Sequence, residues 1–440
     1  MTTLARQSWS NLVQRHTAFT FFMLLMAVLI FSVYCDSGVK YLRVNFLYAF
    51  LLIFSYIFLN VLLAKPFDQL ANYFSSVGRW HKTQRILAVV IDGVMIVFPF
   101  LYFASAGYVP FVRMMFVDDY YVASGLRQTF FDALPTYMNY GGEYFLRGLA
   151  PVWLVYSYMN RRKLFYVMLA ITSLHALGII TKTSIVILLF PLMMVQFSKR
   201  DWRHVFISVA LIAIVLSLNV TVLHRTVLDQ LAQQAAEKSI KKHPKKKEII
   251  EDSAVTRYLQ DHLENSETNK QVIEQYKSGE IVVQGLWTRM FAVQGKIVTE
   301  WLETFPADKG FQHGCGYRWY APFVPCQFVK LPDMVWMKYY KDLYDEHKLV
   351  GTVSAPHYIN AYANFGEDGV LLSAIGMAIL LVMLNSIFIN PMHNIAFNGS
   401  FLALAFQTPL TSLMNSSGWA LTIVLYMAFF PHEKREAFYE

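Results

Sequence analysis

The sequence predicts an all-α polytopic membrane protein with about ten transmembrane helices and one large polar loop. The 440-residue chain is 55% hydrophobic and only 15% charged, well below the ~25% of charged residues typical of soluble domains. Its apolar residues fall into runs near the ~20 residues that a membrane-spanning helix requires. One polar insertion separates seven such runs from three.

The apolar runs predict the spans in order. They lie near residues 17–34, 44–63, 87–106, 143–159, 164–180, 184–197, 204–222, 366–385, 395–411 and 413–430. The chain therefore divides into an N-terminal membrane region (1–223), the insertion (224–365) and a C-terminal membrane region with a short tail (366–440). Each span is expected to be helical, because the hydrocarbon offers the backbone no hydrogen-bond partner.

The Lys and Arg residues of the short loops predict the orientation. With the N-terminus in the cytoplasm, fourteen of them lie inside and five outside. This places both termini in the cytoplasm and the insertion outside. In a Gram-negative cell the membrane is then the inner membrane, and the insertion lies in the periplasm. A lysine-rich run from Lys238 to Lys247 opposes this orientation, but the rule is weak for long loops. We interpret the net charge of +8 as orientation bias and predict no nucleic-acid partner.

Within the insertion, the pattern predicts a charged helical stretch at 224–280 and a further helix at 333–348, with an amphipathic helix and a loop between them. In the amphipathic helix, 286–305, apolar residues such as Val293, Ile297 and Trp301 recur at helical spacing. The loop, 306–332, is rich in Pro, Gly and aromatic residues. Cys315 and Cys326 lie in it, and two readings stay open: a disulfide in an oxidising compartment, or two unrelated thiols.

Three residues are the leading candidates for chemistry. His357 precedes a span on the predicted outer side, where it is placed to accept a hydroxyl proton or to bind a phosphate. Arg289 and Arg318 are insertion cations whose planar guanidinium groups match phosphate oxygens. The alternative reading is an interfacial histidine without a role and two structural salt bridges. No metal-ligand spacing accompanies these residues, so we predict no metal and no cofactor.

Further candidates lie at span ends. Lys182, between two apolar runs, and Arg225, after the seventh span, are candidate substrate-binding cations, although Lys182 alternatively snorkels to the surface. Glu143 and Arg147 are one turn apart and are either part of the site or an ordinary helix pair. Two glycines, Gly366 and Gly369, are expected to allow close approach of backbone or substrate.

Two ionisable residues, Asp92 and His175, lie inside predicted spans. Because charges in the hydrocarbon are costly, such residues are functional candidates by default. An alternative reading is that the two pair with each other.

The layout resembles the O-antigen polymerases and the related O-antigen ligases. Three features carry the resemblance: one large late loop, the stretch from His357 to Gly366-Glu-Asp-Gly369, and the polar turn Thr181-Lys-Thr-Ser184. Two features depart from it: a shorter histidine-to-glycine spacing than in the ligases, and lysine where arginine is common in the turn.

The resemblance implies a GT-C-like membrane glycosyltransferase that needs no metal. A growing glycan on undecaprenyl pyrophosphate would pass to the terminal sugar hydroxyl of a second lipid-linked repeat unit in lipopolysaccharide biosynthesis. Arg289, Arg318 and Lys182 would then stabilise the pyrophosphate leaving group, and His357 would orient or deprotonate the acceptor. The implied partners are the lipid-linked oligosaccharide, membrane lipids and a chain-length regulator protein.

Three alternatives remain at this stage. An O-antigen ligase would transfer the glycan to lipid A core, and the shorter spacing counts against it. A lipid-linked oligosaccharide flippase would spread its charges along many spans, whereas few occur there. A membrane acyltransferase would require an intramembrane histidine as base, for which His175 is the sole support.

Overall fold

The computed structural model describes residues 15–76, 81–117, 120–180, 182–219, 293–323, 325–342, 345 and 351–430. These residues form helices joined by short turns, and no strand occurs among them. The all-α prediction is therefore confirmed for this part of the chain.

The described residues of the N-terminal region form ten α-helices and one π-helical turn. In chain order they are α1 (Thr17–Ser37), α2 (Leu42–Ser76), α3 (His81–Ala106), α4 (Pro110–Met114), α5 (Tyr120–Ala133), α6 (Thr136–Glu143), the π-turn (Tyr144–Leu149), α7 (Ala150–Met159), α8 (Phe165–Gly178), α9 (Lys182–Ser198) and α10 (Trp202–Asn219).

The described part of the insertion and the C-terminal region form seven more. They are α11 (Val293–Thr304), α12 (Leu331–Tyr339), α13 (His357–Phe365), α14 (Glu367–Ile387), α15 (Pro391–Leu404), α16 (Leu410–Asn415) and α17 (Trp419–Phe429). A short 3-10 turn, Ala321–Phe323, lies in the loop between α11 and α12.

Five described helices are long and apolar enough to cross a membrane. They are Thr17–Ser37, Leu42–Tyr73, Gln84–Ala106, Trp202–Asn219 and Glu367–Ile387. Three shorter apolar helices accompany them, Phe165–Gly178, Thr183–Ser198 and Trp419–Phe429. A membrane-embedded bundle is thus supported, while the count of ten spans stays a prediction.

A buried chain of amides holds the membrane helices together. The Asn385 amide donates to the Tyr56 hydroxyl at 2.9 Å, and the Asn394 amide donates to Asn385 at 3.1 Å. Asn398 in turn donates to Asn394, and it accepts from the Trp419 indole at 2.9 Å. Such bonds link helices where the hydrophobic effect cannot, because lipid tails are as apolar as the side chains. The network connects α2, α14, α15 and α17.

The insertion packs against the bundle through α11. The Gly295 backbone N–H donates to Ser32 Oγ of α1 at 2.8 Å, and a Cβ at Gly295 would lie 2.2 Å from the Ser32 carbonyl oxygen. Trp301 is fully buried, and its indole donates to the Val353 carbonyl oxygen at 2.8 Å. The predicted amphipathic helix is therefore observed from Val293 onward, docked on α1. Its first residues lie outside the described part.

One interpretation of the intramembrane charges was wrong. Asp92 pairs with Arg162 and accepts from the Trp153 indole at 2.8 Å, whereas His175 lies in a cage of Phe98, Tyr102, Phe103 and Phe145. The two residues are thus held by different partners.

Candidate active site

A cavity of about 1080 Å³ opens where the insertion meets the membrane helices. The insertion contributes Gly316 to Trp319, Phe328 and Lys330 to Asp333. The bundle contributes Tyr140 and Tyr144, and the turn after α15 contributes hydroxyl and amide groups between Pro409 and Ser416. We call this space the insertion cavity. Its size lies at the upper end for small-molecule sites, which suits an extended ligand.

A disulfide closes one wall of the insertion cavity. Cys315 and Cys326 are bonded with an S–S distance of 2.07 Å, which confirms the disulfide reading. The Val329 backbone N–H donates to the Cys315 carbonyl oxygen at 2.9 Å. The two bonds clamp the segment that carries Arg318 into one compact loop.

Helix α13 anchors this loop to the membrane region. The backbone N–H groups of Gln312 and His313 donate to carbonyl oxygens at the end of α13, at 3.0 and 2.7 Å. The Gly316 N–H donates to the Asn364 side-chain oxygen at 2.9 Å. A Cβ at Gly316 would lie 2.6 Å from a Leu331 methyl carbon and 2.8 Å from both polar atoms of the Asn364 side chain, so a larger residue would displace the amide that holds the loop. Asn364 is itself fully buried, and its amide donates to the Asn360 carbonyl oxygen at 2.9 Å.

Arg318 is the predicted candidate that the structure places on the cavity. Its side chain is exposed, and no carboxylate among the described residues lies within ion-pair distance of it. The structural salt bridge considered as an alternative for Arg318 is therefore not found in this part of the chain. A second cation, Lys330, lies 3.8 Å from the Asp333 carboxylate. Among the described residues, the lining thus carries two cations and one carboxylate.

Aromatic rings make up much of the remaining lining. Tyr140, Tyr144, Tyr317, Trp319 and Phe328 border the cavity, and Trp319 is more than half exposed. The tyrosine and tryptophan rings combine a flat apolar face with a polar O–H or N–H group, so they suit both the faces and the hydroxyl groups of sugars. The arrangement is suited to bind a saccharide beside an anionic group.

Glu143 and Arg147 form the predicted helix pair. Arg147 Nε lies 2.7 Å from a Glu143 carboxylate oxygen, and Arg147 also donates to the Ser417 hydroxyl at 3.4 Å. A Cβ at Gly148 would lie 2.9 Å from the Gly418 carbonyl oxygen, so the two backbones nearly touch. The pair therefore holds the turn that leads from the cavity into α17.

His357 lies inside the bundle, behind the cavity wall. Its side chain is 2% exposed. Its Nδ1 lies 2.9 Å from the Ala405 carbonyl oxygen, which can only accept, so Nδ1 carries the proton. Nε2 then accepts from the Tyr48 hydroxyl at 2.8 Å. Burial lowers the pKa of His357 to about 4, against a smaller upward effect of the Ala405 bond. Both ring nitrogens are therefore occupied by protein groups.

The two glycines after α13 are required for different reasons. Gly366 has φ of +65° and ends α13, a conformation that a side chain would strain. A Cβ at Gly369 would lie 2.1 Å from the Ala361 carbonyl oxygen. Backbone thus approaches closely at Gly369, whereas the nearest atoms at Gly366 belong to the Phe311 ring. A substrate contact at either glycine stays a prediction.

Several predicted residues lie outside the described part of the chain. Arg225, Arg289 and the lysine run belong to residues 220–292, and Lys182 is described only as the first residue of α9. Their proposed roles stay predictions. Among the described residues, no group of three His, Cys, Asp or Glu side chains could hold a metal ion.

Sequence reasoning missed Asn360 and the segment between α15 and α17, which includes α16. Asn360 lines the cavity one helical turn after His357, and Asn415 accepts from the Tyr144 hydroxyl at 3.3 Å. A signal was present, because the polar run from Gln407 to Gly418 interrupts two apolar spans at their predicted outer ends. The chain matches no protein-family model, no curated protein and no solved structure. The assignment of function therefore depends on the geometry of this cavity and on the resemblance in layout.

Proposed function

We propose that this protein is a membrane glycosyltransferase of the O-antigen polymerase type, and that the insertion cavity is its active site. It would transfer a growing glycan from undecaprenyl pyrophosphate to the terminal sugar hydroxyl of another lipid-linked repeat unit. The observation that carries the proposal is Arg318, an exposed guanidinium held among aromatic rings by a disulfide-closed loop.

The groups that line the cavity have two roles in the proposed reaction: some bind the pyrophosphate leaving group, and others hold the sugars. The acceptor oxygen attacks the anomeric carbon, the bond from that carbon to the pyrophosphate oxygen breaks, and the acceptor proton is released. Arg318 offers bidentate hydrogen bonds to the departing pyrophosphate, and Lys330 adds charge. The aromatic rings and the hydroxyl groups of Thr411 and Ser412 would hold the sugars.

The acceptor proton has two candidate destinations. His357 is the residue suggested by the resemblance, but its nitrogens are bonded to Tyr48 and Ala405. Asp333 is the carboxylate that lines the cavity. We propose Asp333 as the base and His357 as the residue that positions α13.

The proposal is tested by deleting the gene in its host and resolving the lipopolysaccharide on gels. Lipid A core that carries a single repeat unit supports assignment of the protein as a polymerase. Free lipid-linked polymer with bare core means that the protein is a ligase. Bare core without any external lipid-linked glycan means a flippase, and an unchanged ladder contradicts all three. Complementation with Asp333→Asn and with His357→Gln then separates the two candidate bases, since the true base loses chain extension by roughly 10²-fold or more.

A further inference from the structure

A second cavity, of about 640 Å³, lies at the opposite end of the bundle from the insertion cavity. Tyr144 lines the insertion cavity, Tyr158 lines the second one, and one helical stretch joins them. Fourteen residues at a rise of about 1.5 Å put the two some 21 Å apart. This distance approaches the ~30 Å thickness of a bilayer core. We call the second space the basal cavity.

Four cations converge on the basal cavity. Arg161, Arg162 and Lys163 come from the turn between α7 and α8, and Lys199 comes from the turn after α9. Arg162 is paired with the buried Asp92 at the membrane side. Among the described residues, no carboxylate lies within ion-pair distance of the other three, and Lys199 instead lies 5.7 Å above the Tyr158 ring.

One carboxylate shares the cavity, and its charge is engaged locally. Asp201 accepts from the Tyr158 hydroxyl at 2.6 Å and from His204 Nδ1 at 2.7 Å. These two hydrogen bonds lower the pKa of Asp201. The described lining residues therefore carry an excess of positive charge after their internal pairs are counted.

Apolar side chains continue from the cavity along the outside of the helices. Tyr166, Trp202 and Phe206 are 58%, 52% and 69% exposed. Tyr166 also lines the cavity, and Trp202 begins a helix that is long enough to span. A charged recess that opens onto such a surface has the form of a headgroup site with room for acyl chains beside it.

Orientation alone does not explain this arrangement. The positive-inside bias requires Lys and Arg beside the span ends, but it does not require two separate turns to direct them into one recess. We propose that the basal cavity binds the phosphate group of an anionic ligand, and that the headgroup of an anionic membrane lipid is its source. Basic pockets between transmembrane helices bind lipid headgroups by this chemistry. The proposal is independent of the glycosyltransferase assignment.

The test titrates the full-length protein in detergent with palmitoyl-oleoyl phosphatidylglycerol and follows retained lipid by native mass spectrometry. The variant carries Arg161→Gln, Lys163→Gln and Lys199→Gln, and spares Arg162 because of its pair with Asp92. The control carries Lys65→Gln, Arg85→Gln and Arg203→Gln, three exposed cations that do not line the cavity. The cavity variant should bind phosphatidylglycerol at least about tenfold more weakly, and the control should match wild type.

Further arms identify the source of the phosphate. Retention that persists in excess inorganic phosphate and is absent with phosphatidylcholine assigns the site to an anionic lipid. Displacement by inorganic phosphate or pyrophosphate, with the same dependence on the three cations, assigns it to a soluble phosphate compound. Equal binding by the cavity and control variants overturns the proposal. If the triple variant does not fold, phosphatidylglycerol binding by the Lys199→Gln single variant is compared with that of the control instead.

Discussion

His357 Nε2 lies 2.8 Å from the hydroxyl oxygen of Tyr48, a residue 309 positions earlier in the chain. The other ring nitrogen and the backbone N–H of His357 both reach the Ala405 carbonyl oxygen. One side chain thus ties α13 to α2 and to the end of α15. Because α13 carries Asn360 and Asn364, these bonds set the wall of the insertion cavity on which the Arg318 loop is anchored.

We first predict that His357 acts through the fold. His357→Ala leaves the Tyr48 hydroxyl buried without its partner and removes the ring hydrogen bond to the Ala405 carbonyl oxygen, which keeps only the backbone N–H at position 357. The substitution should destabilise the protein by about 2–3 kcal/mol. Tyr48→Phe keeps the stacking on Tyr358, at 4.1 Å between ring centroids, and removes only the hydroxyl. The Tyr48→Phe substitution should lower the free energy of unfolding by about 1 kcal/mol. Thermal unfolding in detergent measures both.

Glycan chain length, measured beside the melting temperature, distinguishes a positioning role of His357 from a direct role in the chemistry. A positioning role predicts that chain length and melting temperature fall together across the two variants. If His357→Ala unfolds at the wild-type temperature but makes no polymer, His357 takes part in the chemistry directly.

The second prediction concerns pH. The pKa of His357 falls from 6.5 to about 4 on folding because burial penalises the charged ring. Between pH 6.5 and 4, His357 is therefore protonated in the unfolded chain and neutral in the folded chain. The free energy of unfolding decreases as the pH falls below about 6.5 toward 4. The melting temperature should decline over this window, and His357→Gln should decline less. An equal decline in both proteins would remove His357 as the cause.

The third prediction concerns Arg318. Arg318→Ala should abolish polymer without lowering protein abundance, because the side chain is exposed and its removal leaves no buried group unpaired. Arg318→Lys should restore only part of the chain length, since a lysine cannot form the bidentate contact. Lys309→Ala removes another exposed insertion cation, outside the cavity lining, and should leave polymer unchanged. Full-length polymer from the Arg318→Ala protein would take Arg318 out of the site.

The fourth prediction concerns the disulfide. Cys315 and Cys326 are 11 residues apart, and closing a loop of this length stabilises by about 2–3 kcal/mol. A Cys315→Ser, Cys326→Ser protein should lose its loop protection in limited proteolysis and should make shorter polymer. Cys35→Ser, which removes the free exposed cysteine, serves as the control. Two alkylated thiols in a non-reducing mass map of the native protein would contradict the pairing.

Local spacing predicted those features that depend on neighbours along the chain. The 286–305 pattern predicted the helix that begins, as described, at Val293, and the four-residue spacing of Glu143 and Arg147 predicted their ion pair. In both cases residues three or four positions apart lie on one face of a helix, and this does not depend on the tertiary packing. The pairing of Asp92 with His175 failed because it required contact between separate helices, which hydrophobic periodicity does not specify.

By itself the sequence determined the helical class, the position of the insertion and the loop that carries Arg318. It did so because the hydrocarbon imposes length and apolarity on each span. Only the tertiary structure decided that His357 is buried against Tyr48, that Asn360 and Asn415 share a cavity with Arg318, and that Lys199 shares one with Arg161. These groups are brought together by helix packing across long stretches of chain, and packing depends on side-chain shape rather than on spacing.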